Sequence, residues 1–217
     1  MKGNWGVALI VDLTKREVER RPIPDEWFRD YIGGEGTGVR LFNDLVDYSA
    51  DPLAPSQPVI FAVSPLTGTQ APSSGRTVLI FHSYTSGGLG LANVGGQLSP
   101  PIKKAGYDLV AFVGKASNPV YVVIDDDDVK IVDAPELWGK GVRETEDTIK
   151  GTLDGKGWQL ASIGPAGENG VAFSCVDILL SGISRRSRRT KNCSNSGRTD
   201  CRTACISNHL LRVRYVY

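Results

Sequence analysis

The sequence contains little cysteine, little histidine and no long apolar run. Of its four cysteines only Cys175 lies within the first 180 residues, so that region has no disulfide framework and a reducing, cytoplasmic location is expected. The apolar run Val7–Val11 ends at Asp12, which makes it too short for a signal peptide or a membrane span. The two histidines, His82 and His209, have no partners in a recognisable Ser/His/Asp or Cys/His grouping. A search for conventional catalytic groups therefore gives little.

The composition is that of an ordinary globular protein. The 217 residues are 41% hydrophobic and 23% charged, which excludes disordered, collagen-like and membrane classes. The net charge of +1 conceals an asymmetry, because the last 37 residues hold nine Lys or Arg and one acid, Asp200. We therefore predict one domain over residues 1–180. Residues 181–217 are predicted to be a divergent, basic, cysteine-containing tail that is disordered, since it shows no apolar period.

Short apolar segments separated by turn residues predict a β-rich domain with flanking helices. Val7–Leu13 and Glu17–Arg20 are predicted to form a hairpin, and helices are predicted from Asp25 and after Gly36. Two further helices are predicted over Ala134–Gly139 and Arg143–Ile149, the second of them exposed. The other predicted strands are Pro58–Val63, Thr77–His82, Asp108–Gly114, Val120–Asp125, Val129–Val132, Leu160–Ile163 and Val171–Val176. Ser64–Arg76 and Ser83–Gln97 are predicted to be loops.

The glycine-rich loops are the strongest candidates for a binding site. They are Pro65–Thr69, Ala71–Arg76 and Ala92–Gly96, and each follows a strand. Glycine lets backbone N–H groups approach a ligand, successive N–H groups form nests for anions, and an arginine can bind phosphate through two hydrogen bonds. The pattern therefore indicates a cradle for a phosphorylated cofactor. The pattern is equally compatible with tight turns of a β-rich fold.

Other candidate sites are weaker. Asp125–Asp128 lacks the glycine and distal glutamate of a calcium loop and is predicted to be a hairpin turn. Gly33–Gly38 follows a helix, which argues against a dinucleotide fingerprint. Cys201 and Cys205, with Cys193 upstream, have no supporting histidine, so a metal site is not favoured. The basic run at 185–189 has no accompanying aromatic or motif, so no nucleic-acid partner is predicted. His82 is expected to be structural.

Taken in order, a set of short motifs resembles the aldehyde ferredoxin oxidoreductase family. The agreement extends from residue 1 to about residue 177, and only the ordered set is specific. The matching motifs are Gly3–Gly6, Gly33-Gly34-x-Gly36, Asp51–Leu53, Pro65–Thr69, Ala71-Pro72-x-x-Gly75-Arg76, Ala92-Asn93-x-Gly95-Gly96, Lys104–Asp108, Trp138-Gly139, Glu144–Glu146 and Ser162–Asn169.

The resemblance implies a fold, a cofactor and roles for three residues. It implies an α+β domain with two sheets flanked by helices, in α/β/β/α layers, which carries one face of a tungsten-bis-pyranopterin site. Carried over by position, Arg76 would bind pterin phosphate, the backbone of Asn93 would help to hold a bridging magnesium ion, and Gly95 would permit close approach. The full-length family oxidises aldehydes to carboxylic acids and passes the electrons through a [4Fe-4S] cluster to ferredoxin. A homo-oligomer is left open, and no membrane partner is expected.

The chain departs from the family pattern after about residue 177. There the family continues into an Ala-Ala-Gly-Arg-Gly-Gly segment, whereas this chain reads Leu179-Leu180-Ser181-Gly182 and then a basic run. We interpret the tail as an out-of-frame reading. The cluster cysteines and the later domains are also missing, so the chain is expected to be a truncated form that is inactive alone. Two alternatives stay open: a fragment of a related aromatic acyl-CoA reductase catalytic subunit, or a non-catalytic cofactor-binding domain.

Overall fold

Helices and strands are interspersed along the described part of the chain. The structure, a computed structural model, describes residues 3–152, 158–171 and 174–178, together with the backbone of residues 209–214. The helices are α1 (Asp25–Tyr31), α2 (Glu35–Leu45), α3 (Ser99–Lys104), α4 (Val142–Thr152) and α5 (Pro165–Glu168), with a 3-10 turn at Pro135–Leu137. The strands are β1 (Val7–Asp12), β2 (Glu17–Pro22), β3 (Val59–Val63), β4 (Thr77–His82), β5 (Leu89–Val94), β6 (Leu109–Val113), β7 (Val120–Asp125), β8 (Asp128–Asp133), β9 (Gln159–Ser162), β10 (Asp177–Ile178) and β11 (His209–Arg214).

The described strands form two sheets. Sheet A has the order β2-β1-β6-β3-β4-β5, and every neighbouring pair in it is antiparallel except β1 and β6. Its central strands β3 (VIFAV) and β6 (LVAFV) are continuous apolar runs, as expected for strands that are covered on both faces. The edge strand β2 (EVERRP) is charged instead, which disfavours pairing with another chain.

Sheet B has the order β10-β9-β11-β7-β8. Strand β11 pairs in parallel with β7 and antiparallel with β9. Of the predicted tail, His209–Arg214 is thus described as a strand inside the sheet, while residues 179–208 and 215–217 lie outside the described residues. The proposed boundary at residue 180 stays a prediction.

Three apolar clusters show that the fold has four layers. The first lies between the sheets and combines Leu9, Phe61, Leu79 and Phe112 of sheet A with Val122, Ile124 and Ala161 of sheet B. The second lies between sheet A and helices α1 and α2, with Phe28, Leu41 and Phe42 packed on Ile10, Ile60 and Ile80. The third contains Ile149 of α4 with Tyr121 and Leu160 of sheet B. This arrangement confirms the α/β/β/α architecture.

A glycine allows α2 to lie close against sheet A. A Cβ added to Gly38 would lie 2.4 Å from Cδ1 of Ile80 and 3.0 Å from Cβ of Ala62. Both distances are shorter than ordinary van der Waals contact between carbon atoms. The spacing between α2 and the sheet is therefore set at Gly38.

Three predicted elements were wrong in detail. Strand β5 lies within Ser83–Gln97, which was predicted to be a loop. It was missed because its small residues gain strand structure only by pairing with β4. The predicted helix Ala134–Gly139 is only a 3-10 turn. For the predicted strand Val171–Val176, the described residues 171 and 174–176 lie outside strands, and residues 172–173 lie outside the described part of the chain. Helix α3, which begins at consecutive prolines, was not predicted.

Candidate functional site

The ends of three adjacent strands bring the predicted site residues together. Thr77, the first residue of β4, pairs with Val63 at the end of β3 and with Val94 at the end of β5. Arg76 immediately precedes Thr77, and Gly95 immediately follows Val94. Strands β4 and β5 run in opposite directions, so the residue before Thr77 lies across from the residue after Val94. Extending the register by one residue therefore places Arg76 across from Gly95.

Close backbone contact confirms that these two loops meet. A Cβ added to Gly75 would lie 3.2 Å from the carbonyl oxygen of Gly96. By contrast, a Cβ added to Gly95 would meet no atom within 4 Å. The backbone at Gly95 therefore faces open space, which a bulky group can approach closely.

Arg76 and Asn93 lie on the same face of sheet A. Asn93 pairs with Val78, and residues two apart along a strand share a face, so Arg76 lies on the same side as Val78 and Asn93. Both site residues are exposed. Within the described part of the chain, neither side chain makes an ion pair or a hydrogen bond. Their polar groups are thus available to a ligand.

The charge of these loops suits an anion. Residues 64–76 and 93–97 contain one charged side chain, that of Arg76, and no aspartate or glutamate. A guanidinium presents several N–H donors in one plane and binds phosphate oxygens in pairs. No carboxylate in these loops would repel such a ligand.

Hydrogen bonds hold the loop between β3 and β4 in shape. The Thr69 hydroxyl donates to the Leu66 carbonyl oxygen over 2.7 Å and accepts from the backbone N–H of Ala71 over 3.2 Å. The Ser74 hydroxyl donates to the Thr69 carbonyl oxygen over 3.0 Å. A loop that is ordered in advance loses less entropy when it binds a ligand.

A buried ion pair anchors the N-terminal segment at the same end of sheet A. The Lys103 ammonium donates to the Asp108 carboxylate, and both residues are buried. The same carboxylate accepts the backbone N–H of Gly6 over 2.7 Å, and the Trp5 indole N–H donates to the Lys103 carbonyl oxygen over 2.6 Å. Charged groups are tolerated in a protein interior when they are paired and hydrogen-bonded in this way.

A depression of about 350 Å³ lies beside this anchor, and we call it the Trp5 cleft. It is lined by Gly3, Asn4, Trp5, Pro65, Thr67, Thr69 and Lys103. It lies at the same end of sheet A as Arg76, because Trp5 precedes β1 and Pro65 follows β3.

Three other family motifs, Trp138-Gly139, Glu144–Glu146 and Ser162–Asn169, lie around α4 and sheet B. The backbone N–H of Gly139 donates to the Glu168 carboxylate over 2.8 Å, which joins two of these motifs. Glu146 on α4 is only 5% exposed. Burial raises its pKa, as do Asp177 and Asp147, while Lys150 and Arg143 act in the opposite direction. These residues lie where α4 packs onto sheet B.

The weaker candidates have structural roles in the described part of the chain. His82 is buried, and its Nε2 atom lies 3.1 Å from the Gly87 carbonyl oxygen. Asp125 pairs with Asp128 across the β7–β8 turn, which confirms the predicted hairpin. Among the described residues, no group of three possible metal-ligating side chains occurs. The tail cysteines and the basic run at 185–189 lie outside the described residues.

Comparison with known proteins agrees with this fold. The family described as aldehyde ferredoxin oxidoreductase, N-terminal domain, matches residues 8–199. The chain belongs to the aldehyde ferredoxin oxidoreductase family. A tungsten-containing aldehyde ferredoxin oxidoreductase of Pyrococcus abyssi is 42% identical over 176 residues, which cover 81% of this chain and 29% of that protein. Its counterpart in Pyrococcus furiosus is 39% identical over the same length.

Two further matches widen the range of activities among the relatives. An aliphatic sulfonate oxidoreductase subunit of Pyrococcus furiosus is 30% identical over 186 residues, covering 79% of this chain. A solved structure of the active-site complex of benzoyl-coenzyme A reductase, bound to a dienoyl-coenzyme A, aligns with a TM-score of 0.83 and 32% identity. The alignment covers 98% of this chain and 31% of that one. The chain thus spans about a third of the length of the proteins that it matches.

Among the helices that the structure describes, none combines the length and apolar character needed to cross a membrane.

Proposed function

We propose that this domain binds the phosphate end of a tungsten-bis-pyranopterin cofactor through the loops around Arg76 and Asn93. The observation that carries the proposal is the strand register, which brings Arg76 across from Gly95 and next to Asn93 at one end of sheet A. The tungsten-containing relatives, which match over 81% of the chain, support the choice of cofactor.

The residues present fit such a group. The Arg76 guanidinium would bind phosphate oxygens, and the backbone oxygen of Asn93 would help to hold a magnesium ion, a hard cation that prefers oxygen ligands. At Gly95 an added Cβ would meet nothing within 4 Å, so the backbone admits the bulk of a pterin. When bound, the metal supplies the redox chemistry, whereas this domain binds and orients the cofactor.

We propose further that the domain serves an oxidoreductase that converts aldehydes to carboxylic acids with ferredoxin as the electron acceptor. The printed names of the relatives support this activity. A [4Fe-4S] cluster would belong to the longer protein, because the first 178 residues contain one cysteine, Cys175. The chain by itself provides part of one face of the cofactor site and is expected to be inactive alone.

A titration with inorganic phosphate, followed by phosphorus NMR, tests the binding site on the full 217-residue chain. Arg76→Ala removes a charge-assisted contact of about 1.5–3 kcal/mol, so binding should weaken roughly 10- to 100-fold. Arg29→Ala is the matched control, because Arg29 is an exposed arginine on α1. Equal affinities for the two variants would contradict the assignment of Arg76.

A second experiment tests close approach at Gly95. Gly95→Val and Gly88→Val both add a side chain where an added Cβ meets nothing within 4 Å, so neither should destabilise the fold through a clash. After expression with tungstate, metal analysis and pterin fluorescence report any retained cofactor. Retention should fall in Gly95→Val and not in Gly88→Val. Absence of tungsten, molybdenum and pterin from the unmodified chain would remove the cofactor claim for the isolated chain.

The second candidate function is that of an aromatic acyl-coenzyme A reductase subunit. Its support is the benzoyl-coenzyme A reductase alignment, which covers nearly the whole chain at 32% identity. Aldehyde-dependent reduction of a viologen dye by a longer protein that contains this domain separates the two candidates. A purely non-catalytic cofactor-binding domain would bind phosphate but support neither reaction.

A further inference from the structure

Two glycines form the contact between the loops that carry the candidate site residues. Gly75 immediately precedes Arg76, and Gly96 immediately follows Gly95. Both glycines are half-buried and lie outside the three apolar clusters. The distance between the two loops is therefore set at a point that is one residue away from each side of the candidate site.

The contact leaves no room for a side chain at Gly75. A Cβ added there would lie 3.2 Å from the carbonyl oxygen of Gly96, which is shorter than an ordinary van der Waals contact. Apart from the neighbours of Gly75 in the chain, no other atom of the described residues would lie within 4 Å. A methyl group at this position would thus press on one backbone oxygen, and the two loops would have to separate by a few tenths of an ångström.

The other side of the contact depends on glycine for a different reason. Gly96 has a φ of 127°, which lies in a region that residues with a side chain rarely adopt. The direction of the Gly96 carbonyl group follows from this backbone conformation. Gly75 therefore supplies space at the contact, whereas Gly96 supplies the backbone conformation that brings the oxygen there.

A change at the contact would move the backbone that borders the candidate site. The loop before Gly75 is held by hydrogen bonds, among them the one from the Ser74 hydroxyl to the Thr69 carbonyl oxygen over 3.0 Å. Gly95, by contrast, faces open space. Backbone that borders open space moves more easily than backbone held in place by hydrogen bonds. We therefore expect a methyl group at Gly75 to displace the segment Gly95–Gly96.

We propose that Gly75 is a positioning residue, which sets the separation between the Arg76 guanidinium and the Gly95 backbone for a phosphate group. The inference rests on the proposed function, because it concerns the same site, and it adds a residue that acts through Arg76. Charge-assisted hydrogen bonds are short, with donor–acceptor distances of about 2.7–2.9 Å. A binding site must hold its groups within about 0.5 Å of the productive geometry, so a shift of a few tenths of an ångström weakens binding.

A phosphate titration followed by phosphorus NMR, on the full 217-residue chain, compares Gly75→Ala with Gly88→Ala. Gly88 is the matched control, because it precedes β5 at the opposite end of that strand and an added Cβ there meets no atom within 4 Å. Gly75→Ala should weaken phosphate binding about fivefold, since a charge-assisted hydrogen bond would be weakened and not lost. Equal affinities for the two variants would overturn the inference.

A double-mutant cycle distinguishes positioning from an independent effect. If Gly75 acts through Arg76, adding Gly75→Ala to Arg76→Ala should produce no further change in phosphate affinity. A fivefold loss in that background as well would show that Gly75 acts independently of Arg76, and the positioning role would be wrong.

Thermal melting shows whether the contact serves the site or the whole fold. Gly75→Ala should have the same thermal midpoint as Gly88→Ala, and a clearly lower midpoint would show that the contact stabilises the fold in general, against the inference. Failure of the proposed function would appear instead as unchanged phosphate binding in Arg76→Ala. Weakened binding in Arg76→Ala together with unchanged binding in Gly75→Ala would refute the role of Gly75 alone, so the two failures are distinguishable.

Discussion

The buried ion pair at the site end of sheet A yields a quantitative prediction. Asp108 is 1% exposed, and its carboxylate accepts both the Lys103 ammonium and the Gly6 N–H. Asp108→Asn keeps an oxygen acceptor for Gly6 but removes the negative charge opposite Lys103. Breaking a buried pair in this way costs about 3–5 kcal/mol of unfolding free energy, because it leaves an uncompensated buried charge.

The variant should also loosen the N-terminal segment. Trp5 and Gly6 are held by hydrogen bonds to the two members of this pair. A shifted Lys103 would therefore disturb one wall of the Trp5 cleft. We expect faster hydrogen exchange at Gly6 in the variant, in addition to the global loss of stability.

Urea denaturation at neutral pH, followed by circular dichroism, measures the effect. Asp133→Asn is the matched control, because Asp133 makes a bidentate pair with Arg16 in which both side chains are more than 40% exposed, and exposed pairs contribute roughly 0–1 kcal/mol. Lys103→Met combined with Asp108→Asn should recover part of the loss, since no charge remains buried. A cost for Asp108→Asn no larger than for Asp133→Asn would refute the reasoning.

Three other predictions concern stability. Burial raises the pKa of Glu146 above its ordinary 4.5, so the protonated carboxyl stabilises the fold below pH 4.5 and this contribution is lost as the pH rises through the raised pKa. Glu146→Gln should therefore increase the free energy of unfolding at neutral pH and flatten its dependence on pH. Urea denaturation at several pH values measures this, with Asp147→Asn as the control that should show neither effect. Gly38→Ala should cost about 1–3 kcal/mol by overpacking, whereas Gly151→Ala, where an added Cβ meets nothing, should be neutral or stabilising in the same assay. Truncation after residue 180 removes β11 from between β7 and β9, so size-exclusion chromatography should show association through the freed strand edges; an unchanged monomer would contradict this.

Much of the fold was predictable because apolar periodicity reflects burial directly. Strands such as Thr77–His82 and Val120–Asp125 were predicted with the bounds that the structure gives. Strand β5 was missed, since its residues alternate glycine and alanine with exposed leucines. Such a segment becomes a strand only when β4 offers a partner, and that partner lies outside any local window of sequence.

The candidate site was likewise predictable in part. Its residue types were visible in the sequence, because glycine-rich loops with one arginine and no acid indicate anion binding. Their proximity was not visible without the strand register. The Lys103–Asp108 pair gave no signal either, since two opposite charges five residues apart are ordinary on a protein surface.

The local pattern of the sequence alone thus indicated a β-rich domain with helices and glycine-rich loops, and its ordered motifs indicated the family, from whose resemblance the layered fold and the phosphate-binding candidates follow. The tertiary structure decided that Arg76 lies across from Gly95, that Asp108 is buried with Lys103, and that the Trp5 indole is held on the Lys103 carbonyl oxygen. Each of these relations joins residues distant in the chain, and only packing of the sheets and helices determines which distant residues meet.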